Sequence, residues 1–442
     1  MLYHINQRPP KLQHLDFKRV TQSVKGIAMN SLITPPQTTL LDILSTIRAV
    51  SAERCAALSV DQWSQLARMA SQHRLEPMLH HQIKARGLEQ YIPQEIVTNW
   101  QISYRQSAIN ALTLHRLTHD LRRILGDANI PFLLLKGSWL AWNVYAHPAL
   151  RPMRDIDILV RHADVITAFH LLQAAGFSQS DQHDIPLYIL LKFNKHLPGL
   201  ACPQSKRRVE VHGRLFSLDD EKICPEPLAN FDALYEKRQL SGLGTEQLAY
   251  PSTTDSLLHI IVHAVDDHVF NNGPVVIIDI QHILQQGGIN WPYFWANACE
   301  GGWTKASCLV FDMVEYYHGR QAIDWQGLTR GDTPVTVIEA ASALSLQDVD
   351  SRSNFSLAVV LARGSKPMAK LTRVVRKLSP SRHVLADIGK VPANSRRAYL
   401  YYPVWFFHNL RKFYGGTSKA VSASSLVNPV VGWLSQIEPN RL

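Results

Sequence analysis

The 442-residue sequence predicts an α+β fold, with a small mixed sheet flanked by N-terminal and C-terminal helical segments. Short apolar runs of strand length fall at residues 131–160 and 206–215. On both sides, over residues 39–128 and 254–326, apolar residues recur at the spacing of buried helix faces. The composition, 46% hydrophobic and 19% charged, is that of a globular protein.

The periodicity and charge of the chain divide it into five segments. The first is basic and contains several prolines, so we expect it to be largely disordered. The last is also basic and contains a block of aromatic residues. In order, the segments are the N-terminal piece 1–38, a helical region 39–128, an α+β catalytic unit 129–216, a second helical region 217–327, and the C-terminal region 328–442.

Within the α+β unit, three strands and one helix are predicted. The run Pro131–Leu135 is apolar and ends at Lys136-Gly137, which is typical of a buried strand. Asp164 is a possible N-cap of the helix and Gly176 its C-cap. The predicted elements are strands 131–135, 154–160 and 206–215 and an amphipathic helix 164–175.

Three acidic residues lie within two of these strands. Side chains alternate between the faces of a strand, so Asp155 and Asp157 share one face, and Glu210 shares another with His212. If the strands are neighbours, three carboxylates meet on one surface. Such a cluster is costly without a cation, and Mg²⁺ prefers oxygen ligands together with phosphate.

The acids therefore suggest phosphoryl transfer at two Mg²⁺ ions about 3.5–4 Å apart. Asp155 and Asp157 would bind the ions. Glu210 would either complete one metal site or orient and deprotonate the attacking hydroxyl. The alternative is a solvated or ion-paired acidic face without a metal.

A possible phosphate-binding turn precedes the acids. Gly137 follows the first strand, and a glycine there permits close approach of the backbone to a triphosphate. Backbone N–H groups and the Ser138 hydroxyl could donate to phosphate oxygens. Lys136, Arg151 and Arg154 are candidates for neutralising the phosphate charge.

These motifs resemble the nucleotidyltransferase superfamily with the DNA polymerase beta-like fold. The closest resemblance is to the bacterial uncharacterised nucleotidyltransferase family. It rests on LLLKGSWLAWNVYAHPALRPMRDIDILV (133–160), KHLPGL (195–200) and VEVHGRL (209–215).

The resemblance implies a residue-by-residue assignment. Gly137 and Ser138 match the nucleotide-phosphate turn, Asp155 and Asp157 match the metal-binding acids, and Glu210 matches the third acid. Lys136, Arg151, Arg154, His196 and His212 also fit the pattern, the two histidines as possible substrate contacts.

The implied reaction is Mg²⁺-dependent transfer of a nucleoside monophosphate from an NTP, such as ATP, with release of pyrophosphate. The acceptor would be a small molecule, peptide or saccharide of a biosynthetic pathway.

The net charge of +10 is concentrated at the C-terminal end. Residues 351–442 contain 15 Lys and Arg but only two acids, and an aromatic block lies at 397–414. These rings could pack as a core helix, contact a membrane surface or an acidic partner, or, least expected, bind nucleic acid. The alternative function is thus a non-catalytic interaction or membrane-surface protein.

Other features leave their roles open. His259 and His263 lie one turn apart on a predicted helix, with Asp279 downstream, and could serve structure, substrate contact or a second metal centre. Five scattered cysteines without a CxxC pair, and an N-terminus without an apolar signal region, predict a cytoplasmic protein. Peripheral membrane contact is compatible with that location.

Overall fold

A computed structural model of the chain describes residues 33–45, 47, 50–179, 186–217, 224–242 and 246–347, and also 385, 388–389, 391–392, 395–405 and 427–436. At the centre of the described part is a five-stranded mixed sheet in the order β1-β2-β5-β4-β3. β2 and β5 are parallel, and the other pairs are antiparallel. The strands are β1 (Phe132–Leu134), β2 (Asp155–Val160), β3 (Ser178–Gln179), β4 (Leu200–Ala201) and β5 (Arg208–His212).

The two central strands bury one apolar face. Ile156 and Ile158 of β2, and Val209 and Val211 of β5, are fully buried. Burying a side chain of this size stabilises the fold by about 1.5–3 kcal/mol. Because side chains alternate, the polar residues of both strands project from the opposite face.

The N-terminal helical region begins earlier than the sequence predicts. Its first helix starts at Pro35, inside the segment 1–38 that we expected to be disordered. Gln37 Oε1 accepts the backbone N–H of Thr34 at 2.9 Å, and a proline in the first turn costs no helical hydrogen bond. The helices are α1 (Pro35–Leu44), α2 (Ala52–Ala56), α3 (Val60–Gln72), α4 (Glu76–Ala85) and α5 (Gln94–Asp127).

The connections within the sheet are mostly helical. α6 (Gly137–Trp139) follows β1 and continues as a π-helical turn, Leu140–Val144. α7 (Val165–Ala174) follows β2 and contacts both α5 and β5. α8 (Leu187–Phe193) precedes β4.

Asp164 is the N-cap residue of α7, as the sequence predicts, but its side chain makes no capping hydrogen bond. It lies in a 3-10 turn, His162–Asp164, with helical backbone angles. The preceding turn already directs the chain into α7. The C-cap residue is Ala175, one residue before the predicted Gly176, and Gly176 itself has a left-handed backbone with φ 92°.

Helices also make up most of the region after the sheet. Two short strands, β6 (Gln239–Ser241) and β7 (Leu248–Tyr250), form an antiparallel pair that the sequence did not predict. The helices are α9 (Glu226–Ala229), α10 (Phe231–Glu236), α11 (Thr253–Val262), α12 (Val275–Gln286), α13 (Trp291–Glu300), α14 (Thr304–His318) and α15 (Val335–Ser345). The structure confirms the α+β fold class, with helices on both sides of the sheet in sequence.

Beyond residue 347, the longest described stretches of the C-terminal region are 395–405 and 427–436. Around residue 430, Val427 and Val430 are buried in the main core, and Lys305 Nζ lies 5.3 Å from the ring centre of Trp433. Part of the aromatic block lies in the 3-10 helix Arg396–Tyr401, where Tyr399 and Leu400 are exposed. This part of the block therefore does not pack as a core helix. The rest of that block, residues 406–414, lies outside the described residues, as does the segment 1–32.

Candidate active site

The parallel register of β2 and β5 places the three acids on one face. Asp157 is opposite Glu210, and Asp155 is opposite Arg208. Directly paired residues of neighbouring strands point to the same side of a sheet. The face opposite the apolar core therefore presents Asp155, Asp157 and Glu210 together, with His212 beside them.

Asp157 is the most tightly held of the three acids. Its Oδ1 lies 2.9 Å from His212 Nε2, and its Oδ2 lies 3.1 Å from Lys136 Nζ. Although Asp157 is buried, Lys136 and His212 together hold the pKa of its carboxyl well below the usual range. Burial lowers the pKa of His212 to about 4, so its imidazole is neutral at pH 7. Asp157 is thus a carboxylate in a fixed orientation.

The pKa values of the other two acids are shifted in the opposite direction. Burial and the neighbouring charge of Asp157 raise the pKa of Asp155 and that of Glu210. Glu210 contacts Arg208 at 3.2 Å and His196 at 3.7 Å. A divalent cation between the acids would remove their mutual repulsion.

The donor set fits a divalent metal ion. One ligand atom each from Asp157, Glu210 and His212 lies within 4.8 Å of the others. Asp155 adds a further carboxylate on the same face. Carboxylate oxygens are the ligands that Mg²⁺ prefers, and neutral imidazole is compatible with Mn²⁺ and later metals.

A strained turn lies next to the carboxylates. Ser138 N–H donates to Leu135 O at 3.2 Å, and Lys136 between them has φ 46° and ψ −115°. These angles belong to the first central position of a type II′ turn, where glycine is favoured. Such strain costs of the order of 1–3 kcal/mol and is most common at functional sites. The turn directs the Lys136 ammonium to Asp157.

The acids and the turn face one cavity of about 840 Å³. Among its lining residues are most of those that the sequence singled out: Lys136, Gly137, Arg151, Arg154, Asp155, Asp157, His196 and Glu210. Ser138 and His212 are not in the lining. Ser138 is 4% exposed and His212 is fully buried, so both lie beneath the cavity surface.

Arg151 lies at the cavity but is paired with an acid from another region. Its Nε and Nη2 donate to the two carboxylate oxygens of Asp279 on α12, at 2.7 and 2.9 Å. The Tyr145 hydroxyl donates to the same carboxylate at 2.6 Å. Asp279 therefore positions the Arg151 guanidinium. This contact gives Asp279 a structural role, one of the roles that the sequence left open. Arg154 is exposed at the same cavity.

A second ionic cluster lines the cavity where Lys195 meets the π-helical turn after α11, His263–Asp267, and sequence reasoning missed Lys195. Lys195 pairs with Asp267, whose Oδ2 also lies 3.0 Å from His263 Nδ1. The sequence offered only a weak signal for Lys195, which is the first residue of the KHLPGL segment just before β4. His259 is buried, 6.2 Å from the His263 ring, and does not line the cavity.

One family of known proteins matches the chain. The family described as "uncharacterised nucleotidyltransferase" matches residues 59–319, more than half of the chain. No curated protein and no solved structure matches the chain. The matched range contains the sheet, the three acids, Lys195 and the Arg151–Asp279 pair. The chain therefore belongs to the uncharacterised nucleotidyltransferase family.

Proposed function

We propose that this protein is a Mg²⁺-dependent nucleotidyltransferase. It would transfer a nucleoside monophosphate from an NTP to an acceptor hydroxyl or phosphate and release pyrophosphate. Family membership supports nucleotidyl transfer in general terms. The observation that supports the specific reaction most directly is the convergence of Asp155, Asp157 and Glu210 at one cavity beside the Lys136-Gly137 turn.

The charge of the cavity supports metal dependence. Five cationic side chains line it, but so do six acidic ones. An NTP with about four negative charges would find little net attraction there without divalent cations. The lining cations are Arg74, Lys136, Arg151, Arg154 and Lys195, and the acids are Asp155, Asp157, Glu210, Asp266, Asp267 and Asp279.

In this proposal the acidic residues bind the metal ions, and the basic residues and the glycine turn bind the phosphates. Asp155 and Asp157 would hold the cations, and Glu210 would either complete one metal site or act as the base. When bound, Mg²⁺ would offset the charge of the triphosphate and of the transition state. Lys136 and Arg154 would bind phosphate oxygens, while Gly137 allows the backbone to approach them closely.

Glu210 is the candidate base where Asp155 and Asp157 hold the cations. Asp157 is less suited to that role, because Lys136 and His212 both contact its carboxylate. The acceptor oxygen would attack the α-phosphorus as Glu210 takes its proton. The bond to the β-phosphate oxygen would break, and pyrophosphate would leave. The substrate class of the acceptor stays open among small molecules, peptides and saccharides.

Label transfer tests the proposal. The full chain would be incubated with each of the four [α-³²P]NTPs, Mg²⁺ and a metabolite extract as the acceptor pool. We expect labelled product and pyrophosphate, both abolished by EDTA and by the double variant Asp155→Asn/Asp157→Asn. Asp164→Asn, after the far end of β2, is the matched control. Unchanged labelling in the double variant would overturn the proposal.

The C-terminal region supports a second, compatible candidate: contact with a membrane surface. Tyr399, Leu400, Tyr402 and Val404 are 58%, 74%, 39% and 55% exposed beside two arginines at 396–397. Exposed aromatic and aliphatic groups with adjacent cations suit the interface of an anionic bilayer. None of the described helices combines the length and apolarity needed to cross a membrane.

Co-sedimentation with vesicles tests this second candidate. We expect the full chain to pellet with phosphatidylglycerol vesicles more than with phosphatidylcholine vesicles. Tyr399→Ser/Leu400→Ser should reduce that binding, whereas the distant exposed change Ile109→Ser should not. Equal pelleting of the double variant and the wild type would exclude this surface. In that case, binding of an acidic protein partner would be the remaining interpretation of the basic region.

A further inference from the structure

Lys195 is held rigidly next to the catalytic strand. Its backbone carbonyl accepts the N–H of Gly213 at 2.9 Å, and Leu197 N–H donates to Val211 O at 3.1 Å. These bonds run along the strand that contains Glu210. The Lys195 side chain is only 11% exposed, yet it lines the same cavity as the acids.

The anchor of Lys195 comes from an unusual backbone segment. α11 ends in a π-helical turn, His263–Asp267, a form that is frequent at functional sites. The next residues include Val269 and Phe270, which are buried although their φ angles are 45° and 62°. A β-branched and an aromatic residue rarely adopt such angles. The fold thus accepts strain immediately beside the residues that hold Lys195.

The hydrogen bonds leave Lys195 able to bind a ligand. An ammonium group has three donors, and Asp267 accepts one of them. His263 Nδ1 lies closer to Asp267 than to Lys195, 3.0 Å against 3.4 Å, so its N–H is best assigned to the carboxylate. The remaining donors of Lys195 are available to the cavity that the side chain lines.

A second ammonium group, that of Lys136, lines the same cavity. The charges of Lys136 and Asp157 both act on the pKa of Lys195. Burial and Lys136 lower the pKa of Lys195, while Asp267 opposes that change. An anion between two such ammonium groups would relieve their repulsion.

We propose that Lys195, positioned by Asp267 and His263, forms a phosphate subsite for the β- and γ-phosphates of the NTP and hence for the leaving pyrophosphate. This rests on the proposed function, because it assigns the phosphates to the nucleotide. The Lys195 ammonium could bind a phosphate group on the acceptor by the same charge-assisted hydrogen bonds.

Calorimetric binding of pyrophosphate, NTP and NMP to the full chain, with Mg²⁺ present, tests the subsite without turnover. We expect Lys195→Met to weaken pyrophosphate and NTP binding about tenfold or more and to leave NMP binding within twofold. Lys195→Arg should retain part of the affinity. Lys192→Met, on the exposed side of α8 and outside the cavity lining, is the matched control.

Unchanged pyrophosphate affinity in a folded Lys195→Met variant would overturn the proposal. Weaker pyrophosphate binding with unchanged NTP binding would overturn the assignment to the nucleotide and indicate the acceptor instead. Should Lys195→Met not fold, Asp267→Asn removes the anchoring charge and should lower pyrophosphate affinity several-fold. If no label transfer is found but Lys195-dependent pyrophosphate binding persists, the proposed function fails and the anion site remains.

Discussion

Arg151 and Asp279 form a two-point ion pair across 128 residues of sequence, with N–O distances of 2.7 and 2.9 Å. Arg151 belongs to the connection that leads into β2, and Asp279 belongs to α12. The pair therefore connects the α+β unit with the second helical region. Since Asp155 lies only four residues after Arg151, this connection helps to set where β2 begins.

Removing the charge of Asp279 should destabilise the protein. Asp279→Asn leaves the largely buried Arg151 guanidinium without its counterion, which costs about 3 kcal/mol of unfolding free energy. Urea denaturation followed by circular dichroism measures the effect. The exposed pair of Arg161 and Asp232 is the control, and Asp232→Asn should cost less than about 1 kcal/mol. Equal effects of the two variants would contradict the prediction.

Lys136 should contribute to both stability and ligand binding. Lys136→Met leaves the buried Asp157 carboxylate with its hydrogen bond to His212 but without the nearby ammonium charge, so we expect a loss of about 1–3 kcal/mol at pH 7. Mg²⁺-NTP affinity should fall at least about tenfold, with partial retention in Lys136→Arg. Thermal melting and calorimetry measure the two effects. Lys84→Met, outside the cavity lining, should change neither; an unaltered Lys136→Met affinity would argue against a phosphate role.

Acid should destabilise the fold partly through His318. Burial lowers the pKa of His318 from 6.5 to about 4, so the unfolded chain takes up a proton there at a higher pH than the folded chain does. The stability contribution is complete above pH 6.5 and is lost as the pH falls towards 4, by up to about 3 kcal/mol. Urea unfolding from pH 7.5 to 4.5 should show this slope. A His318→Gln variant with the same slope as the wild type would contradict it.

A glycine at position 206 should stabilise the hairpin that leads into β5. Lys206 has φ 57°, in the left-handed region, and lies between β4 and β5. Because glycine adopts this conformation without steric cost, Lys206→Gly should raise the free energy of unfolding by up to about 1 kcal/mol. Lys206→Ala keeps the strained angle and should give no such gain. Destabilisation by the glycine would show that the Lys206 side chain makes a larger contribution than the strain.

Local periodicity was sufficient for three of the five strands of the sheet and for its acids, but not for the two-residue strands β3 and β4. The alternation of Asp155-Ile156-Asp157-Ile158 determines which side chains share a face wherever that strand is placed. Once the Glu210 strand pairs with it in register, convergence of the carboxylates follows. Strand ends and short pairs such as β6 and β7 were harder to predict, because a few residues carry little periodic signal.

The sequence by itself determined the fold class, the three acids and the glycine at position 137. Only the tertiary structure decided that Asp279 holds Arg151, that Asp267 holds Lys195, and that Ser138 and His212 lie beneath the cavity surface. The two ion pairs join residues that lie 72 and 128 positions apart in the sequence. Hydrophobic periodicity reports which face of an element is buried, whereas charge pairing depends on which elements pack together, and packing is a property of the whole chain.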